Sequence, residues 1–179
     1  MQYVGVAAYS GVPSGELTEA AKTFIGELSK LIDVSDTVIV TGGYWGLMRV
    51  VVDAALDAGF HVVIIPPHEE EGAPFPDKAV VIRTGTSFRV RSVFLVRTSN
   101  VLVVLGGAAG SMQEAVTAYT EGVPVLVLSG YGMPTDRLRA LAPYLDNREL
   151  ARIYVVESPS ILAKAVAKVL REVGFGITG

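Results

Sequence analysis

The sequence predicts a three-layer α/β domain, a doubly wound, Rossmann-like and mainly parallel sheet with helices on both faces. Short apolar runs alternate along the chain with stretches of helical periodicity. Two of those runs end in glycine-rich turns, "TGGYWG" at 41–46 and "GGAAGS" at 106–111. With 179 residues and 50% hydrophobic content, the chain can bury one good core but not two, so residues 1–179 read as a single domain.

Each element follows from local pattern. "YVGVAAY" at 3–9 reads as a first buried strand, and after the turn "SGVPSGE" the residues Leu17, Ala21, Phe24, Leu28 and Leu31 mark one apolar helical stripe. "TVIV" at 37–40 is a second strand, followed by the first glycine turn and a helix, "LMRVVVDAALDAG", closed by Gly59. "FHVVIIPP" is a third strand, stopped by Pro66 and Pro67. Such a β-α-β-α-β half favours parallel pairing with right-handed crossovers. "HEEEGAPFPDKAV" at 68–80 lacks periodicity and reads as a mobile lid, its acidic run a solvated face. After "VVIR", the helix at 86–98 is apolar on several sides, which predicts cover by the sheet and by a second subunit. A strand at 101–105, a helix from 111, the strand "VPVLVLS", a helical stretch at 135–145, the strand "IYVVES" and a last helix capped at Ser158 and Pro159 complete the pattern. "GFGITG" reads as a frayed tail.

Composition excludes several kinds of function. There is no cysteine for a disulfide, thiolate or cysteine metal site, and His61 and His68 are too few for a histidine-rich centre, so no metal site is expected. A net charge of -3 argues against a nucleic acid polymer or an anionic membrane as partner. No run is long enough to span a bilayer and no leader pattern opens the chain, so a cytoplasmic protein with a small-molecule ligand is expected.

Ligands of such sheets bind beyond the carboxyl ends of the strands, where strand order reverses. In a sheet of 3-2-1-4-5 type, that point lies between the strands at 3–9 and 101–105, so Ser10 and Gly11 face "GGAAGS" across a crevice. Gly107, Ala108 and Gly110 permit close backbone approach, and the amides of Gly110, Ser111 and Met112 open a helix whose positive end suits phosphate. Gly42, Gly43 and Gly46 serve either ligand approach or a tight turn, and Trp45 either stacks a base or covers a subunit seam. No G-x-x-x-x-G-K-[ST] occurs and no G-x-G-x-x-G follows the first strand, which disfavours P-loop NTPases and conventional dinucleotide enzymes.

"GGAAGSMQE" at 106–114 resembles the P-G-G-x-G-T-x-x-E motif of the LOG-like (SLOG) Rossmann family, often labelled lysine decarboxylases. "TGGYWGLMRVVVDAALDAG" at 41–59 resembles that family's G-G-G-x-x-G-L-M-G stretch and its continuation, and Arg91 stands at the arginine of its R-K or R-N pair. The branch with molybdenum cofactor carrier proteins is nearest. The resemblance implies a dimer or larger assembly and hydrolysis of the N-glycosidic bond of nucleoside 5′-monophosphates, with AMP-like ligands, Arg91 and Glu114 catalytic, and no cofactor required. Gly106 at the motif's proline, Ala108 at its second glycine, Ser92 after Arg91 and Arg49 after Met48 depart from the pattern. They favour the other reading, a carrier or sensor of a nucleotide or of a phosphorylated cofactor such as molybdenum cofactor. Lysine decarboxylation is rejected: a Schiff base needs a lysine at the strand ends, and Lys22, Lys30, Lys78, Lys164 and Lys168 all lie elsewhere.

Two readings of the central pair stay open at this point. Ser111-x-x-Glu114 has the spacing of a capping box, yet Glu114 also suits glycosidic cleavage. Arg91 either positions that carboxylate or a ligand hydroxyl through a bidentate contact, or belongs to a structural ion pair or a subunit interface.

Overall fold

The computed structural model describes residues 1–175. Its elements are β1 (Gln2–Ala8), α1 (Gly15–Leu28), β2 (Thr37–Thr41), α2 (Gly46–Asp57), β3 (His61–Ile64), β4 (Val80–Val81), α3 (Phe88–Thr98), β5 (Val101–Leu105), α4 (Ala109–Thr120), β6 (Val125–Leu128), β7 (Ile153–Val156) and α5 (Pro159–Phe175). The seven strands form one sheet in the order β4-β3-β2-β1-β5-β6-β7, every neighbouring pair parallel. β1 pairs with β2 on one side and with β5 on the other, Val4–Ala8 running beside Val101–Leu105. Strand order therefore reverses between β1 and β5, and a crevice opens beyond Ala8 and Leu105.

The period-2 alternation of strand side chains makes the three layers. In β5, Val101, Val103 and Leu105 join Leu17, Phe24, Leu47, Val51, Leu162 and Val166 on the face covered by α1, α2 and α5. Leu102 and Val104 join Leu95, Val96, Ala115 and Tyr119 on the face covered by α3 and α4. All five residues of β5 are buried, as expected of a central strand covered on both faces. α1 starts at Ser14, whose hydroxyl accepts from the Leu17 amide at 3.1 Å, and α5 starts at Ser158, whose hydroxyl accepts from the Ile161 amide at 3.4 Å.

Several expectations gain detail from the structure. The segment 68–80 is tied down, with the His68 amide donating to the Thr86 carbonyl at 2.7 Å and the Gly85 amide to the Glu71 carboxylate at 2.7 Å. Glu71, with its side chain 18% exposed, is a fastener rather than part of a solvated face. The stretch at 135–145 is a 3-10 helix spanning Pro134–Leu141. α3 buries Arg91, Ser92, Leu95 and Val96 and leaves Val90 and Phe94 exposed on the side away from the sheet, which the single chain does not cover. The helix continues through Phe175, within the tail expected to fray, and 176–179 lie outside the described residues. No helix among the described residues is long and apolar enough to cross a membrane.

Candidate functional site

The crevice is a cleft of about 180 Å3. It is lined from the end of β1 by Ala8 and Ser10, from the start of α2 by Trp45 and Met48, from the start of α3 by Phe88, Arg89, Arg91 and Ser92, and from the start of α4 by Ala108, Gly110, Ser111 and Glu114. Parallel strands place the N-terminus of each following helix at this one end of the sheet, so three helix starts converge here.

Arg91 and Glu114 meet inside it. Arg91 Nη1 donates to Glu114 Oε1 at 2.9 Å, and the Ser92 hydroxyl donates to the same oxygen at 2.9 Å. Both residues of the ion pair are 6% exposed. Glu114 itself lines the cleft, and among the described residues no hydrogen bond is made to its Oε2. Burial pushes the Glu114 carboxyl up from its ordinary value, against the pull of the Arg91 charge and the Ser92 hydrogen bond. Burial also draws Arg91 down, against Glu114.

The capping box does not form. α4 begins at Ala109, two residues before the expected start, so Ser111 lies inside its first turn and Glu114 is bound to α3 instead. The Met112 amide is also spent, donating to the Ala108 carbonyl at 3.0 Å. The four amides left open at the helix start are those of Ala108, Ala109, Gly110 and Ser111, and of these residues Ala108, Gly110 and Ser111 line the cleft, so Met112 leaves the expected phosphate set. Arg91 reaches Glu114 through a single nitrogen, so the expected bidentate contact is absent. Ser92, which stands at the motif's lysine or asparagine, also supplies a donor to Glu114.

Glycines make room for these side chains. A Cβ on Gly42 would lie 1.8 Å from Arg91 Nη1, so the first glycine turn and the arginine form one construction. Gly107 adopts φ +145°, and a Cβ there would meet the Ser111 hydroxyl at 2.0 Å. Ala108 sits at φ -113°, without left-handed strain, whereas Gly106 takes φ +73°, which proline cannot adopt. Gly43 lies against the Trp45 ring, and Gly46 packs on the backbone of Ser10 and Gly11. Gly11 is not among the lining residues, whereas Ser10 is. Trp45 meets Phe88 edge to face at 6.4 Å between centroids and walls the cleft. Arg49 turns away, 3.8 Å from Asp53 and over the Tyr44 ring.

Sequence reasoning missed Arg89, Phe88 and Met48. A signal for Arg89 existed: a cation in the first turn of a helix opposes the macrodipole and needs a reason. Among the described residues, no three histidine, cysteine or acidic side chains gather as metal ligands.

A family model described as the SLOG cluster4 family matches residues 2–162. Among solved structures, TM1055 is 32% identical, with 94% of this chain and 99% of that chain covered and a TM-score of 0.83. The molybdenum cofactor binding protein of Rippkaea orientalis is 19% identical, with 94% and 96% covered and a TM-score of 0.74. The molybdenum cofactor carrier protein of Chlamydomonas reinhardtii is 20% identical, with 96% and 99% covered and a TM-score of 0.73. At those last two identities the likeness is one of fold.

Proposed function

We propose that this chain, which belongs to the SLOG cluster4 family, binds a small phosphorylated ligand in the cleft between β1 and β5 and cleaves the N-glycosidic bond of a nucleoside 5′-monophosphate there. The observation that carries the reading is Glu114: it lines the cleft with one oxygen pinned by Arg91 and Ser92 and its other oxygen without a hydrogen bond among the described residues.

The phosphate lies on the amides of Ala108, Gly110 and Ser111, where the helix start supplies donors and positive potential. The cleft volume of about 180 Å3 is below the roughly 300 Å3 at which pockets enclosing whole drug-sized ligands begin. It accommodates the ribose phosphate end, with the base at the Trp45 and Phe88 wall. Water adds to C1′ as the bond to the base nitrogen breaks, and the electron pair leaves with the base. Glu114 Oε2 takes a proton from that water and returns it to the departing base, giving free base and ribose 5-phosphate and restoring the carboxylate. A carboxylate there also stabilises the oxocarbenium character of C1′, and Arg91 holds it in place.

A second reading, a carrier or sensor without turnover, is favoured by Gly106 and Ala108, which stand where the family motif has a proline and its second glycine. The names of two fold neighbours support a molybdenum cofactor as cargo. Incubation with nucleoside monophosphates, AMP first, followed by chromatography of released base, separates the two: base release supports the hydrolase, and binding without release supports the carrier.

Val90 and Phe94 on α3, together with Val116 on α4, are exposed apolar residues, and we place a homodimer contact there. Phe94→Glu is expected to move the protein from dimer to monomer in sedimentation, and an unchanged oligomer would remove this face from the interface.

A further inference from the structure

We propose that Arg89 is the cation that grips the ligand's phosphate, and that the cleft therefore selects a terminal phosphomonoester over a diester. The inference rests on the reading that the cleft holds a phosphorylated ligand. The alternative cation in the cleft is Arg91, but its charge is already met by Glu114 at 2.9 Å. Arg89 lines the same cleft and makes no ion pair among the described residues. Its main chain is held, because Gln113 Nε2 donates to the Arg89 carbonyl at 3.1 Å and ties this turn of α3 to α4.

Its position on the helix is unfavourable without an anion. Arg89 is the second residue of α3, at the positive end of the macrodipole. α2, α3 and α4 all open on the cleft, and none has an acidic residue in its first turn or a side-chain cap. α1, which contributes no lining residue, has both, in Ser14 and Glu16. Conventional capping is thus missing at the three helix starts that surround the cleft. Arg91 Nε has no hydrogen-bond partner, but it is sealed within the cleft wall, out of a ligand's reach, so it does not take Arg89's place.

A phosphomonoester dianion supplies acceptors in several directions at once. One side of it suits the amides of Ala108, Gly110 and Ser111, and the other the planar fork of Arg89. A diester has one charge and one terminal oxygen fewer, and cannot satisfy both sides equally.

The test is a calorimetric titration of wild type, Arg89→Ala and Arg89→Lys with AMP, adenosine and the methyl phosphodiester of AMP. Arg89→Ala is expected to weaken AMP binding by about tenfold to a hundredfold, the range of a hydrogen bond to a charged group. It should leave adenosine unaffected and erase most of the preference for AMP over its methyl ester. Arg89→Lys should recover only a small part, since an ammonium lacks the fork. An unchanged melting temperature would show that the effect is local. Wild-type binding of AMP that Arg89→Ala does not weaken would overturn the assignment of Arg89 and leave the phosphate reading standing. Failure of wild type to bind AMP more tightly than adenosine would overturn the phosphate reading itself.

Discussion

Glu114→Gln is expected to abolish release of base from a nucleoside 5′-monophosphate while leaving binding of that nucleotide nearly intact. The amide matches the carboxylate in size and still offers Arg91 and Ser92 an oxygen to which to donate, so the pinned half of the contact survives. What disappears is the basicity of the other oxygen and the negative charge beside C1′. Loss of a positioned acid or base lowers turnover by about 10²–10⁴-fold, and the charge effect acts in the same direction. The measurement is single-turnover base release by chromatography beside a binding isotherm for the same protein. A variant that binds and cleaves like wild type would remove Glu114 from the chemistry.

Arg91→Met is the largest expected effect on stability. Breaking a buried ion pair by removing one partner costs about 3–5 kcal/mol, because the remaining charge is left uncompensated in the interior. The pH dependence follows from Glu114. Burial already holds its carboxyl above the ordinary value, so over the window between the unfolded and folded values the folded chain binds more protons than the unfolded one. This contribution to stability is complete below the unfolded value of about 4.3 and is lost as pH rises through the folded value. Removing Arg91 takes away the charge that opposes burial and extends the window upward. Arg91→Met should therefore lower the melting temperature more at pH 8 than at pH 5. A drop of equal size at both values would mean that Glu114 remains satisfied without Arg91.

The layered fold was legible because its signals are local. Buried strands such as 101–105 are short apolar runs, and the reversal between β1 and β5 follows from the order in which such runs alternate with helices. The glycine turns at 41–46 and 106–111 and the later Arg91 and Glu114 were equally visible, and the structure gathers them into one place. What was not legible is how they depend on one another. Nothing local reveals that Gly42 is empty so that a guanidinium can occupy its space. The start of α4 was misplaced because Ser-x-x-Glu spacing satisfies a capping box on paper, whereas the carboxylate is claimed by an arginine and a serine 23 and 22 residues away. A long-range charged contact outweighed a local one. Arg89 escaped because the cleft that gives it meaning exists only once three helix starts are brought together.

The phosphorylated ligand itself is tested most directly by titrating the purified protein with AMP, ribose 5-phosphate, inorganic phosphate and adenosine while following the fluorescence of Trp45, the single tryptophan, which walls the cleft. Saturable fluorescence changes with phosphorylated members of the panel, AMP binding far more tightly than adenosine, are the predicted result. Adenosine binding as tightly as AMP, or no response to any phosphorylated member, would contradict the assignment of this cleft.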